Sequence, residues 1–284
     1  MKGIQPARLV SAVVFSLTTF CLLGGDAGSS EAGSLSIQPV VQKANVWCSA
    51  AVGEMVFDYF HVPNVNPAGH YQCGILGVLA SGKQWRECAY RCERCPVPPG
   101  NAATIIEMIK DYPRKVAEAT GKQVIGLRAA YQSWPLSARD VMAAIDKKSP
   151  IIAQISPSGL PAGTAGARHV ALLVGYQERE GAMEIKVNDP FPFTGWADNP
   201  YLRAGGRAAG DGSYWIEYGA FWQWLKWADS FVIEPTGVVR FSGGRNCCTH
   251  LRKCGPFLDG PSRPLGSPCS CQAGDPAPSG RVCS

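Results

Sequence analysis

Near residue 150 the hydrophobic pattern of this chain changes period. Before that point, Val46 to Phe60 carries Val52, Met55, Val56, Tyr59 and Phe60 at i, i+3, i+4, i+7 and i+8, the stripe of an amphipathic helix. A second helix is expected over 102–112. A third follows Ser137, where Ser137-Ala-Arg-Asp140 reads as a capping box ahead of Val141, Met142 and Ile145. Beyond it, Ile151–Ile155, His169–Val174 and Glu184–Val187 are short runs of branched residues separated by Gly, Pro or charged turns, as strands are. Tyr214–Ile216 and Ser230–Ile233 read as two more, with the aromatic segment Phe221–Trp227 between them. Helices first and strands second predict an α+β domain, an N-terminal helical half packed on an antiparallel β-sheet half.

The ends of the chain differ from this middle. Lys2 and Arg8 flank the start of an apolar stretch, Leu9 to Leu23, and Gly25-Asp26-Ala27 offers a signal-peptidase site after Ala27. At about 15 residues the stretch falls short of the roughly 20 that a spanning helix needs. Phe20 is too large to precede a lipidated Cys21. The mature protein is therefore expected to be secreted or periplasmic, without a membrane span. Residues 28–39 read as a short linker and 40–235 as one domain long enough for a core. Residues 236–284 hold six cysteines, six prolines and eight glycines but few large apolar residues, so disulfides would have to hold this appendage together.

Charge separates the same regions. The net charge is +5, yet 28–235 is neutral, and the tail has six basic against two acidic residues. The domain thus lacks the basic stripe of a nucleic-acid surface, and no cofactor is expected. The basic tail suits contact with an anionic surface; equally, it could cover a cleft or be a mere extension.

Twelve cysteines become eleven once Cys21 leaves with the signal segment. An exported chain pairs most of its cysteines, and an odd number leaves one as a free, reactive thiol. Cys73, Cys88, Cys92 and Cys95 form a cluster that reads either as disulfides or as a four-thiolate zinc site.

Cys48 is the candidate thiol. It opens the first helix, where unpaired amides and the macrodipole favour an anion and lower a thiol's pKa. The alternative is a disulfide partner or a buried structural cysteine. Gln42, six residues earlier, could donate its side-chain amide to an oxyanion beside the Cys48 N–H. Of the four histidines, His61 and His70 fall in a polar loop and His250 in the tail. His169 instead opens the most apolar strand, behind the glycine-rich run 158–166, which suits an imidazole at a cleft edge. If the strands at 169–176 and 183–189 form a hairpin, Asp189 ends beside His169 and can fix its tautomer, while Asn188 points to the other face.

Gln42, then a helix-start Cys48, then a strand-opening His169, then Asp189 after the next strand: this order resembles the papain-like cysteine peptidases. Trp47-Cys48-x-Ala50-Ala51, His169-Val-x-Leu-x-Val-Gly175-Tyr176 and Asp189-Pro190 resemble two bacterial branches of that family. One comprises the leader-peptide peptidases of bacteriocin exporters, the other the papain-like effector peptidases of plant pathogens. The resemblance spans residues 40–235. It implies a papain-like fold, a polypeptide substrate, and peptide cleavage with Cys48 as nucleophile, His169 as base, Asp189 as orienter and Gln42 as oxyanion donor. Ser49 departs from the aromatic residue common after the nucleophile. The dozen or so residues between the expected cleavage point and Gln42 leave no room for an inhibitory propeptide. Two other functions use the same residues: acyl transfer or glutamine deamidation by the same thiol, and a binding module whose chemistry has lapsed.

Overall fold

The computed structural model describes residues 32–79, 88, 91–95, 100–157, 168–193 and 198–240, and the backbone of short strands between 243 and 283. The expected signal segment, the start of the linker and the run 158–166 lie outside the described residues.

A short strand, β1 (Ala32–Ser34), precedes three helices: α1 (Cys48–Tyr59), α2 (Tyr71–Leu79) and α3 (Ala102–Thr120). Then come β2 (Val124–Gln132), α4 (Ala138–Asp146), β3 (Ile151–Ile155), β4 (His169–Arg179) and β5 (Ala182–Asn188). The domain closes with α5 (Pro200–Arg203), β6 (Arg207–Ala208), β7 (Ser213–Glu217), α6 (Tyr218–Trp224) and β8 (Asp229–Val239). The sheet order is β2-β8-β3-β4-β5-β7-β6, with β1 beside the later part of β4 and every pairing antiparallel. This is the α+β architecture expected. Val52, Met55 and Val56 of α1 share one core with Ile105, Met108 and Ile109 of α3 and with Ile151, Leu172 and Val187 of the sheet.

Local chemistry accounts for most element ends. Ser137 caps α4 by accepting the Asp140 N–H at 3.2 Å, and its hydroxyl donates to the Asp140 carboxylate at 2.7 Å. α3 runs on to Thr120 rather than stopping at Tyr112. Pro113 removes one helical hydrogen bond, but Tyr112 at the expected stop and Val116 and Ala117 beyond it are fully buried. Burying such side chains contributes about 1.5–3 kcal/mol each for the larger ones, enough to carry the helix through the proline. Gly121, at φ 69°, then ends it by donating to the Ala117 carbonyl.

Besides the short β1, α5 and β6, two longer elements were not expected, α2 and β2, and β2 interrupts the helices-then-strands order. α2 is buried from Gln72 through Gly77 and shows no polar face. β2 pairs with β8 from Val124↔Val239 to Gln132↔Ser230, so strand pairing continues past the 235/236 boundary expected from composition. The aromatic segment is helical over Tyr218–Trp224.

β4 and β5 form the expected hairpin. Glu180 and Gly181 have φ of 54° and 79°, the two positive values of a type I′ turn. Its register sets Leu172 opposite Asn188, and it shifts between Leu173 and Gly175. At that bulge the Val174 carbonyl accepts the Leu35 N–H at 2.7 Å. A Cβ on Gly175 would lie 2.9 Å from the Gly33 carbonyl oxygen, so only glycine lets β1 approach here.

Cys73–Cys92 and Cys88–Cys95 are disulfides, so the cluster is cross-linked within the helical half. They pack with Trp47, Ala50 and Leu76 as a second, smaller core. In the tail, Asn246–Cys248, Lys253–Cys254, Pro268–Cys269 and Gly280–Cys283 pair as a four-stranded antiparallel sheet. The pairing of the tail cysteines lies outside the described side chains. Among the described residues no helix is long and apolar enough to cross a membrane.

Gly175→Ala should lower stability by about 1–3 kcal/mol through overpacking against β1. Urea unfolding checks this: the midpoint should fall with the slope unchanged, and an unchanged midpoint would contradict the close approach.

Candidate active site

Cys48 is the first residue of α1 and half-buried; among the described cysteines it alone has no disulfide partner. Trp47 sits at the N-cap and gives no side-chain cap. A Ser or Asp there would occupy the first amides of the helix; Trp47 leaves them to whatever lies at the helix end. The indole is itself fixed, 4 % exposed against the disulfide core.

His169 meets Cys48 from across the two halves. As the first residue of β4 it pairs with Ile155, the last of β3. Its neighbour Arg168 anchors the strand start, donating to Asp229 at 2.5 Å and to Gln154 at 3.1 Å. Gln154 donates in turn to the Gly100 carbonyl at 3.0 Å, tying the sheet to the approach to α3.

The His169 ring is buried, and Nε2 lies 2.7 Å from Asp189 Oδ1. That leaves Nδ1 as the nitrogen able to exchange a proton with the Cys48 thiol, the group with which the ring interacts electrostatically. Burial alone would push the thiol up; the hydrogen bond and charge of His169, with the Val170 N–H, hold it below its ordinary value. Burial likewise would lower His169, but the charge and hydrogen bond of Asp189, helped by Cys48, hold it well above the usual imidazole range. The two shifts favour a thiolate–imidazolium pair.

Asp189 owes its position to the hairpin register and to a bond from its own N–H to the Gly212 carbonyl at 2.8 Å. Oδ1 also accepts the Phe191 N–H at 2.8 Å, and Oδ2 accepts the Tyr201 hydroxyl at 2.6 Å. Asn188 faces away, as expected, donating to the Ile37 carbonyl and accepting from Ser213, both at 2.9 Å.

Gln42 is buried on the same side. Its N–H donates to the Pro190 carbonyl at 2.8 Å, next to Asp189. Its Nε2 donates to the Ala44 carbonyl at 2.9 Å, and the Trp47 N–H shares that acceptor at 3.0 Å, so the amide is fixed relative to the residue before Cys48. The second hydrogen on Nε2 has no partner among the described residues, nor has buried Oε1.

Sequence reasoning missed two supports. Gln72, fully buried, brackets Gln42 by donating to the Val41 carbonyl at 3.0 Å and accepting the Lys43 N–H at 3.0 Å. No spacing in the sequence marks it. Tyr201 lies in Asn199-Pro-Tyr, whose capping Asn and first-turn Pro could have signalled the short helix but not the tyrosine's target. The other described histidines stand elsewhere: His61 follows α1 at φ 56°, and His70 Nδ1 lies 3.1 Å from Lys43 Nζ. His250 lies outside the described residues.

No curated protein matches the chain. Among solved structures, one from a study of the mite allergens Blo t 1 and Der p 1 is 13% identical, covers 76% of this chain and 73% of that one, and has a TM-score of 0.36. Digestive procathepsin L 3 of the Tenebrio molitor larval midgut is 11% identical, covers 71% and 69%, and scores 0.32. A family profile matches residues 34–219, a span that takes in Gln42, Cys48, His169 and Asp189. The chain belongs to the Peptidase_C39-like family.

Proposed function

We propose that this protein is a secreted papain-like cysteine peptidase that cleaves peptide bonds with Cys48 as nucleophile, His169 as general base and acid, Asp189 as orienter and Gln42 as oxyanion donor. The observation that carries the reading is the buried 2.7 Å contact of His169 Nε2 with Asp189, with the other side of the ring turned to a thiol at a helix start. Export is supported by the signal-like N-terminus and the two disulfides. The motifs around Cys48, His169 and Asp189 favour the bacterial branches that cleave leader peptides or act as effectors.

In the mechanism, His169 takes the Cys48 proton and the thiolate attacks the scissile carbonyl. Negative charge gathers on the carbonyl oxygen, where the Cys48 N–H and the uncommitted N–H of Gln42 can meet it. The imidazolium then gives its proton to the departing amine, leaving a thioester. Water, deprotonated by His169, releases the acid product and the free thiol. A deamidase or acyl transferase would share the first half, and the mass of the product separates them from a peptidase.

Cys48→Ala and His169→Ala should each abolish cleavage of an unfolded protein substrate while leaving the far-UV circular dichroism unchanged. Full activity in either folded variant would sink the assignment.

The pH profile should be a bell. Cys48 sets the acid limb, below the ordinary thiol value of about 8.5, because the thiolate forms early. His169 sets the alkaline limb, above the ordinary imidazole value of about 6.5, because its proton is held late. Asp189→Asn removes the charge that holds that proton, so its alkaline limb should move to lower pH; kcat/KM measured across pH checks both signs.

Gln42→Ala should lower kcat by about 10²–10³ with KM little changed, the signature of a donor used only in the transition state. Gln72→Ala should produce a smaller loss of the same kind by loosening the 41–43 segment. A change confined to KM in both would refute the oxyanion role.

A further inference from the structure

We propose that Tyr201 is a positioning residue of this site, acting on His169 through Asp189 by clamping one carboxylate oxygen and drawing charge away from the other. The proposal rests on the reading of His169 and Asp189 as a working pair.

The geometry of the hydroxyl is that of a charge-assisted bond. It lies 2.6 Å from Asp189 Oδ2, while Oδ1 is shared between His169 Nε2 at 2.7 Å and the Phe191 N–H at 2.8 Å. With Oδ2 held by Tyr201, the carboxylate cannot turn about its Cβ–Cγ bond without breaking a buried bond, so Oδ1 stays on Nε2. Burial and the Asp189 charge keep the phenol protonated by raising it far above its ordinary range, so it remains a donor.

The ring has little freedom to leave. Tyr201 is fully buried and stacks on Tyr214 at 4.3 Å with the planes 3° apart. Asn199 fixes both partners. Its Oδ1 accepts the Tyr201 N–H at 3.0 Å at the start of α5, and its Nδ2 donates to the Tyr214 hydroxyl at 3.2 Å. Among the described residues, the titratable groups facing the His169–Asp189 pair are Cys48 from α1, Tyr201 from α5 and Tyr214 from β7.

A tyrosine present only to fill the core would leave the imidazole's titration untouched. The test follows His169 by NMR in the full chain, labelled with ¹⁵N-histidine, where only four histidines contribute. All samples carry Cys48→Ala so that the thiolate does not enter. In Tyr201→Phe more negative charge stays on the oxygen facing His169, and the imidazolium midpoint should rise by about 0.5 pH or more. Difluorotyrosine placed at 201 keeps the shape but donates more strongly, so the midpoint should fall; it serves also if Tyr201→Phe fails to fold. Opposite shifts support the proposal. An unchanged midpoint, a fall in Tyr201→Phe or a rise with difluorotyrosine overturns it. Because no substrate enters the measurement, failure of the peptidase reading would appear separately, as wild-type protein that cleaves no peptide.

Discussion

A carboxylate at the end of a hairpin, removed from water, is the constraint around which this site is organised. An ion buried as deeply as Asp189 is costly unless its lone pairs are occupied and a counter-charge lies near. Here an imidazole, a backbone amide and a phenol occupy them, each delivered by a different part of the sheet half. Satisfying that ion fixes where β4 begins, where β5 ends and where α5 starts. The charged state of His169 follows from it, and through His169 the state of the thiol on the opposite half. The geometry of the His169–Asp189 pair and the stability of the core thus rest on the same set of hydrogen bonds.

The helical half solves a complementary problem, which is to present a thiol and amides without closing them off. Trp47 in place of a capping side chain leaves the helix end open, and its indole pins that end to the disulfide core. Gln42 is secured at three points: its own N–H on Pro190, its side chain on Ala44, and Gln72 on both flanking residues. One amide hydrogen remains without a partner among the described residues after all these bonds. A group held so firmly would lose little entropy on meeting a developing charge, as the proposed oxyanion role requires.

The sequence made α1, α4, β3 and the β4–β5 hairpin legible because each has one buried and one wet aspect, or is bounded by turn residues that permit only one local geometry. His169 and Asp189 could be paired from the hairpin alone, since register is a property of neighbouring strands. α2 was not legible because burial all round erases periodicity, and Pro113 hid the second half of α3 because a local rule yielded to tertiary packing. Tyr201 and Gln72 were invisible for a different reason. Each acts on a group that is near in space through a fold that no local pattern encodes, and their residue types carry no signal of it.

β8 is the last strand of the domain, yet it lies inside the sheet, between β2 and β3. During synthesis, at roughly 5–20 residues per second, Cys48 exists on the order of ten seconds before the residues of β8 do. Until β8 inserts, β2 and β3 each present an unpaired edge, and the strand that pairs with the start of β4 lacks its other neighbour. Completion of the site is therefore tied to the final step of building the sheet. A nascent or truncated chain lacking β8 exposes sticky edges and leaves the strand that aligns His169 held on one side only.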